Sequence, residues 1–127
     1  MRRYFVNPDE IDGIKVIQDE HKVYDALRKG ETVCRFEWGD SMDPILKNGE
    51  YARLVPIKSL DEIKRGDAVF CKVGGYFMTH MVWEISRCAH DSLYFKIGSS
   101  IGSIYGWTKD VYAIAYGTNC FEKYQEG

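Results

Sequence analysis

Apolar positions along the chain follow two periods. Residues Asp19 to Lys29 (DEHKVYDALRK) place Val23, Ala26 and Leu27 at helical spacing, with acids early, bases late and Gly30 following as a stop. The spacing predicts a short amphipathic helix. From Glu31 to Trp38 the period drops to two: Val33, Arg35 and Glu37 alternate with Thr32, Cys34, Phe36 and Trp38 in a stretch rich in β-formers. It reads as a strand running into Gly39-Asp40-Ser41. Met42 to Leu46 is short and meets the turn signal Lys47-Asn48-Gly49-Glu50, so at most one helical turn separates this strand from the next, and Ser41 opens that turn. Further strands are predicted at Tyr51 to Val55, Asp67 to Val73, Tyr76 to Ser86, Ser92 to Ile97 and Val111 to Tyr116, with Gly74-Gly75 as a tight two-residue hairpin. On a regular strand, Tyr76, Met78, His80, Val82 and Glu84 share one face, and Phe77, Thr79, Met81, Trp83 and Ile85 the other.

Composition adds bounds to this mostly β pattern with one short N-terminal helix. The 127 residues fit a single domain, because two separate cores would each be too small to offset chain entropy. Hydrophobic residues (45%) and charged residues (28%) stand at ordinary globular levels, and nine Tyr, six Phe and three Trp suit strands. The net charge of −2 with scattered Lys and Arg carries no electrostatic footprint for phosphates, which argues against direct nucleic-acid binding. Asn7, Pro8, Asp9 and Glu10 interrupt the start before a signal-peptide core develops, and no segment approaches the roughly 20 apolar residues of a membrane span. A cytoplasmic protein is expected. Cys34, Cys71, Cys88 and Cys120 form no Cys-x-x-Cys pair and read as free thiols of a reducing compartment. Cys88-Ala89-His90 offers two metal ligands without a second pair, so no metal or organic cofactor is expected.

Three stretches carry candidate chemistry: Gly39-Asp40-Ser41-Met42-Asp43-Pro44, closely followed by Asn48-Gly49-Glu50; Gly66-Asp67-Ala68-Val69, about two dozen residues on; and Thr79-His80-Met81-Val82. In this order they resemble the LexA/signal-peptidase superfamily of serine peptidases, over roughly residues 31–117. The resemblance implies a single domain of coiled antiparallel sheets, with Ser41 as nucleophile and His80 as general base. It places Met42 beside the nucleophile, has Pro44 fix the chain after it, and assigns a backbone N–H at Ser41 to the developing oxyanion. Asp40 and Asp43 read as turn or capping carboxylates.

A serine hydroxyl attacks only if a base takes its proton. Neutral imidazole, with an ordinary pKa near about 6.5, does this near neutral pH, whereas a lysine must first lose its charge through burial. His80 is thus the preferred base and Lys72 the reserve. The family pattern is not complete. Gly49-Glu50 replaces a Gly-Asp, Met81 replaces an arginine, and Gly98-Ser99-Ser100 stands where relatives carry a carboxylate. Ser99 is expected to support the site by hydrogen bonding, and Asp110 is a possible orienting acid beside its competing reading as a solvated turn residue.

No Ala-Gly or Cys-Gly bond precedes Ser41, so self-cleavage of the LexA kind is not expected, and the sequence ahead of the domain is too short for a helix-turn-helix. The expected function is that of a soluble serine endopeptidase acting on an extended peptide. The alternative is a catalytically weak or inactive peptide-binding module of the same fold. Oligomeric state, substrate and any membrane-anchored partner stay open.

Overall fold

A computed structural model describes residues 8–37 and 50–117. The helix of the pattern is α1, Glu20–Arg28. Asp19 caps it by accepting from the Lys22 N–H at 3.0 Å, and its stop is a Schellman turn in which Glu31 N–H donates to Ala26 C=O and Gly30 N–H to Leu27 C=O. Gly30 takes a left-handed φ of +84° there, which a side chain resists. Before α1 stands a small hairpin of β1 (Glu10–Ile11) and β2 (Ile14–Lys15), too short for the pattern to mark.

The rest is one antiparallel sheet. Its strands are β3 (Val33–Glu37), β4 (Glu50–Pro56), β5 (Ala68–Val73), β6 (Tyr76–Arg87), β7 (Leu93–Gly98), β8 (Ile104–Thr108) and β9 (Val111–Tyr116), in spatial order β3-β4-β9-β5-β6-β7-β8. The described residues are thus mostly β with one α-helix and form a single small domain, as the pattern predicts. The β5–β6 turn is Gly74-Gly75, with φ of +57° and +87°, both of the sign a tight hairpin turn demands. One strand went unmarked in the pattern: β8, whose apolar run is interrupted by Gly106.

Each face of the sheet carries a core. On one, α1 lays Val23, Ala26 and Leu27 against Val33, Ala52, Leu54, Ala68, Phe70, Ala113 and Ala115. On the other, Val69, Cys71, Val73, Val82, Phe95, Ile97 and Val111 pack together under Ile63. Sheets buried on both faces twist and coil, and this one curls at two places. Although β4, β9 and β5 lie between β3 and β6, Glu37 of β3 stands beside Thr79 of β6. Likewise β8 returns to β5, where the Thr108 hydroxyl donates to Lys72 C=O at 2.6 Å.

A register shift between Val82 and Glu84 makes Trp83 a bulge. Beyond it the alternation inverts: Val82 pairs with the core residue Ile97, whereas Glu84 pairs with Lys96 and meets its ammonium at 3.8 Å on the opposite face. Glu84 therefore does not share a face with His80, as strict alternation predicts, because the extra residue turns the strand over.

Candidate functional site

His80 lies in the first half of β6, opposite Val69 of β5 and one residue from the core residue Thr79. Alternation puts it with Met78 and Val82, on the face of the Val69 core, and away from α1. The imidazole is half-buried, and this burial depresses its pKa below the ordinary 6.5, because desolvation disfavours the cation. Near neutral pH the ring is therefore uncharged and able to accept a proton. Its Nδ1 is fully buried and has no hydrogen-bond partner among the described residues. Among the described residues no carboxylate or carbonyl thus meets Nδ1 in the manner of a serine-peptidase triad. The ring instead packs at a tilt against Tyr105 of β8, with centroids 4.5 Å apart and planes 34° apart.

Lys72 stands on the other face of the sheet, alternating with Cys71 and Val73 and holding its ammonium 5.1 Å from the centre of the Phe77 ring. It is a cation held over an aromatic face, in a setting unlike the apolar pocket that a lysine base requires.

The residues assigned to support the base are positioned as follows. Ser99 is buried in the β7–β8 turn, where its Oγ accepts from Ser103 N–H at 3.0 Å, its own N–H donates to Ser103 C=O, and its C=O accepts from the Trp83 indole at 2.9 Å. These bonds build the turn and anchor Trp83. Asp110 is exposed in the β8–β9 turn, its backbone tied to Lys72 and to the Thr108 hydroxyl. Its charge acts on Cys71 and Tyr112, helping to push each up to about 12, and not on His80. On β5 it meets the Lys72 end, three residues or roughly 10 Å along the strand from the partner of His80.

Ser41 and Met42 fall outside the described residues, as do Asp40, Asp43 and Pro44. The described chain stops at Glu37 and resumes at Glu50, and these two residues are cross-strand partners. Glu37 is largely buried on the α1 side of β3. Burial raises its pKa, against the pull of the Arg35 guanidinium 3.4 Å away. Because the sheet curls, this end of β3, four residues ahead of Ser41, stands beside Thr79, the neighbour of His80.

Two further features bear on a peptide ligand. Strand β7 pairs with β6 only from Met81 onward, so among the described strands the Tyr76–His80 edge of β6 is unpaired on that side. Tyr105, which the pattern did not single out, is the one aromatic side chain packed against the candidate base among the described residues. The signal for it in the sequence is Gly106, since an isolated glycine in an apolar run marks a bulge or a close approach.

Among the described residues no three His, Cys, Asp or Glu side chains gather as a metal site would need, and no helix is long and apolar enough to cross a membrane. No family model matches the chain, and no curated protein or solved structure matches it either.

Proposed function

We propose that the protein is a serine endopeptidase of the LexA/signal-peptidase type, in which Ser41 attacks the peptide carbonyl and His80 takes its proton. The observation that carries this reading is the state and setting of His80. Its imidazole is kept neutral by burial, and it lies next to Thr79, the residue that flanks the strand leading to Ser41. Four residues of chain reach about 14 Å at full extension, enough for the Ser41 segment to approach β6 from Glu37. The Tyr76–His80 edge, unpaired on one side among the described strands, suits an extended substrate, which would add as a strand and bring its scissile bond to the base.

In the reaction, neutral His80 accepts the Ser41 proton as Oγ bonds to the carbonyl carbon. Backbone N–H groups at the serine turn hold the oxyanion, and the imidazolium then protonates the leaving amine. Water repeats the sequence to release the acyl group, with no metal or cofactor taking part.

The test combines an alkylphosphonate or penem probe with a peptide library. Wild-type protein should label at Ser41 and cleave, while Ser41→Ala should do neither, and His80→Ala should lose roughly 10²–10⁴ in rate. Since burial depresses the His80 pKa, the ascending limb of kcat/KM against pH should lie below the ordinary imidazole value, with full activity at neutral pH. Activity confined to alkaline pH and surviving His80→Ala would transfer the role to Lys72. One observation favours a second reading, a peptide-binding module without turnover: no acid among the described residues is engaged with His80 to hold the imidazolium. Peptide binding without labelling or cleavage would establish it.

A further inference from the structure

Strands β6 and β8 are not neighbours in the sheet; β7 lies between them. β7 ends at Gly98, opposite Met81, so no β7 residue stands opposite His80, and two features bring a side chain of β8 to the ring there. The first is a bulge. β7 and β8 pair Ile97 with Gly106 but Gly98 with Ile104, which leaves Tyr105 as the extra residue, and a bulge of this kind re-aims a side chain. The second is a missing Cβ. One built on Gly98 would stand 2.5 Å from Ser103 C=O, 2.8 Å from Ile104 Cδ1 and 2.9 Å from Trp83 Cδ1. Only glycine lets the β8 backbone approach this closely, and Gly98 pairs with Met81, the residue after His80.

We propose that Tyr105 is a positioning residue for His80: its ring, delivered by the bulge and by the close approach at Gly98, fixes the plane of the imidazole and shields that face from water. The inference rests on the reading of His80 as the base, and it supplies what that reading lacks. In a triad an acid orients the ring through Nδ1; here Nδ1 has no partner among the described residues, and the Tyr105 ring, packed against it at a tilt, is the contact that holds the imidazole. With orientation supplied by a neutral surface, no charge among the described residues raises the basicity of His80, in keeping with burial as the cause of its depressed pKa.

The titratable groups around it are disposed accordingly. From β5, Lys72 points to the other face and Cys71, on the same face, is a neutral thiol pushed up to about 12. From β7, Lys96 lies on the far face with Glu84 of β6, and from β8 the phenol of Tyr105 itself faces the ring.

The test reads the imidazole directly. The chain has three histidines, so His80 is assigned in the proton–nitrogen NMR spectrum of the full chain by its loss in His80→Gln, and its titration is followed in wild type, Tyr105→Phe and Tyr105→Ala. Phenylalanine keeps the packed ring and should leave the His80 titration unchanged. Alanine should move its pKa upward, toward the ordinary imidazole value, as water reaches the ring. In turnover, alanine should lower kcat roughly ten- to a hundredfold with KM little changed, since a base about 1 Å out of place costs that much, and phenylalanine should restore it. Tyr105→Leu, which keeps apolar bulk but not the flat ring, gives the same reading if the alanine variant does not fold. A His80 titration that is identical in all folded variants overturns the inference. Because that measurement needs no activity, its failure is distinct from the failure of Ser41 to label, which would instead overturn the peptidase reading.

Discussion

Glu37 shows how a single residue records its surroundings. Period-two alternation placed it on the α1 face of β3, but its burial there arises from the curl that brings β6 alongside. A carboxyl whose pKa is raised by folding stabilises the fold while protonated. That contribution is present below the ordinary value of 4.5 and is lost as the pH rises through the folded value. Glu37→Gln keeps the shape and an acceptor for Arg35 but does not titrate. It should melt at the wild-type temperature below the ordinary glutamate range and above the wild-type temperature at neutral pH, as followed by thermal unfolding at both pH values. A less stable glutamine variant at neutral pH would mean that the pair with Arg35 outweighs the burial. His80 titrates in the opposite sense: its pKa is depressed, so its contribution is present above the ordinary 6.5 and is lost as the pH falls through the folded value.

Among the elements, the legible ones were those whose signals are local. Helix α1 announces itself through Val23, Ala26 and Leu27 at helical spacing and through Gly30, and the β5–β6 hairpin through Gly74-Gly75. Strand β8 was not legible, because Ile104, Tyr105 and Trp107 are half-exposed and Gly106 interrupts them, so neither periodicity nor burial marks the run. Nor was the bulge at Trp83, since an extra residue is defined only against a partner strand, and at Tyr105 the neighbouring Gly106 marks an irregularity without fixing which residue is the extra one. Gly98 joins these elements. Gly98→Ala would drive a methyl into the Ser103 backbone oxygen, which cannot move aside as a side-chain end can, and should cost about 1–3 kcal/mol. Denaturant unfolding measures that cost, and the same variant should disturb the His80 NMR signal by moving β8.

For the molecule as a whole, the two cores share the strands between them. Phe70 and Phe95 are both fully buried, one on each face of the sheet. Each truncation to alanine should cost about 3–5 kcal/mol, and both variants should still unfold in one transition, because β5 and β9 supply side chains to both cores. Two transitions in either variant would show that the faces fold independently. The edges are treated differently. At β3 the Gln18 amide both donates to Phe36 C=O and accepts from its N–H, occupying the outer strand, whereas β8 presents Ile104, Tyr105 and Trp107 partly to solvent.

By itself the sequence determined the local features: the helix and its stop, most of the strands and the hairpin turn, and it supplied the serine and histidine motifs on which the proposed function rests. Each depends on residues within a few positions of one another, where spacing alone decides which side a residue faces. Tertiary structure decided which face Glu84 takes after the Trp83 bulge, that Glu37 comes to Thr79, that Asp110 serves Cys71 and Tyr112, not His80, and that Tyr105 covers the imidazole. These depend on register, bulges and curl, which arise only when strands distant in the chain pair and the sheet closes over its two cores.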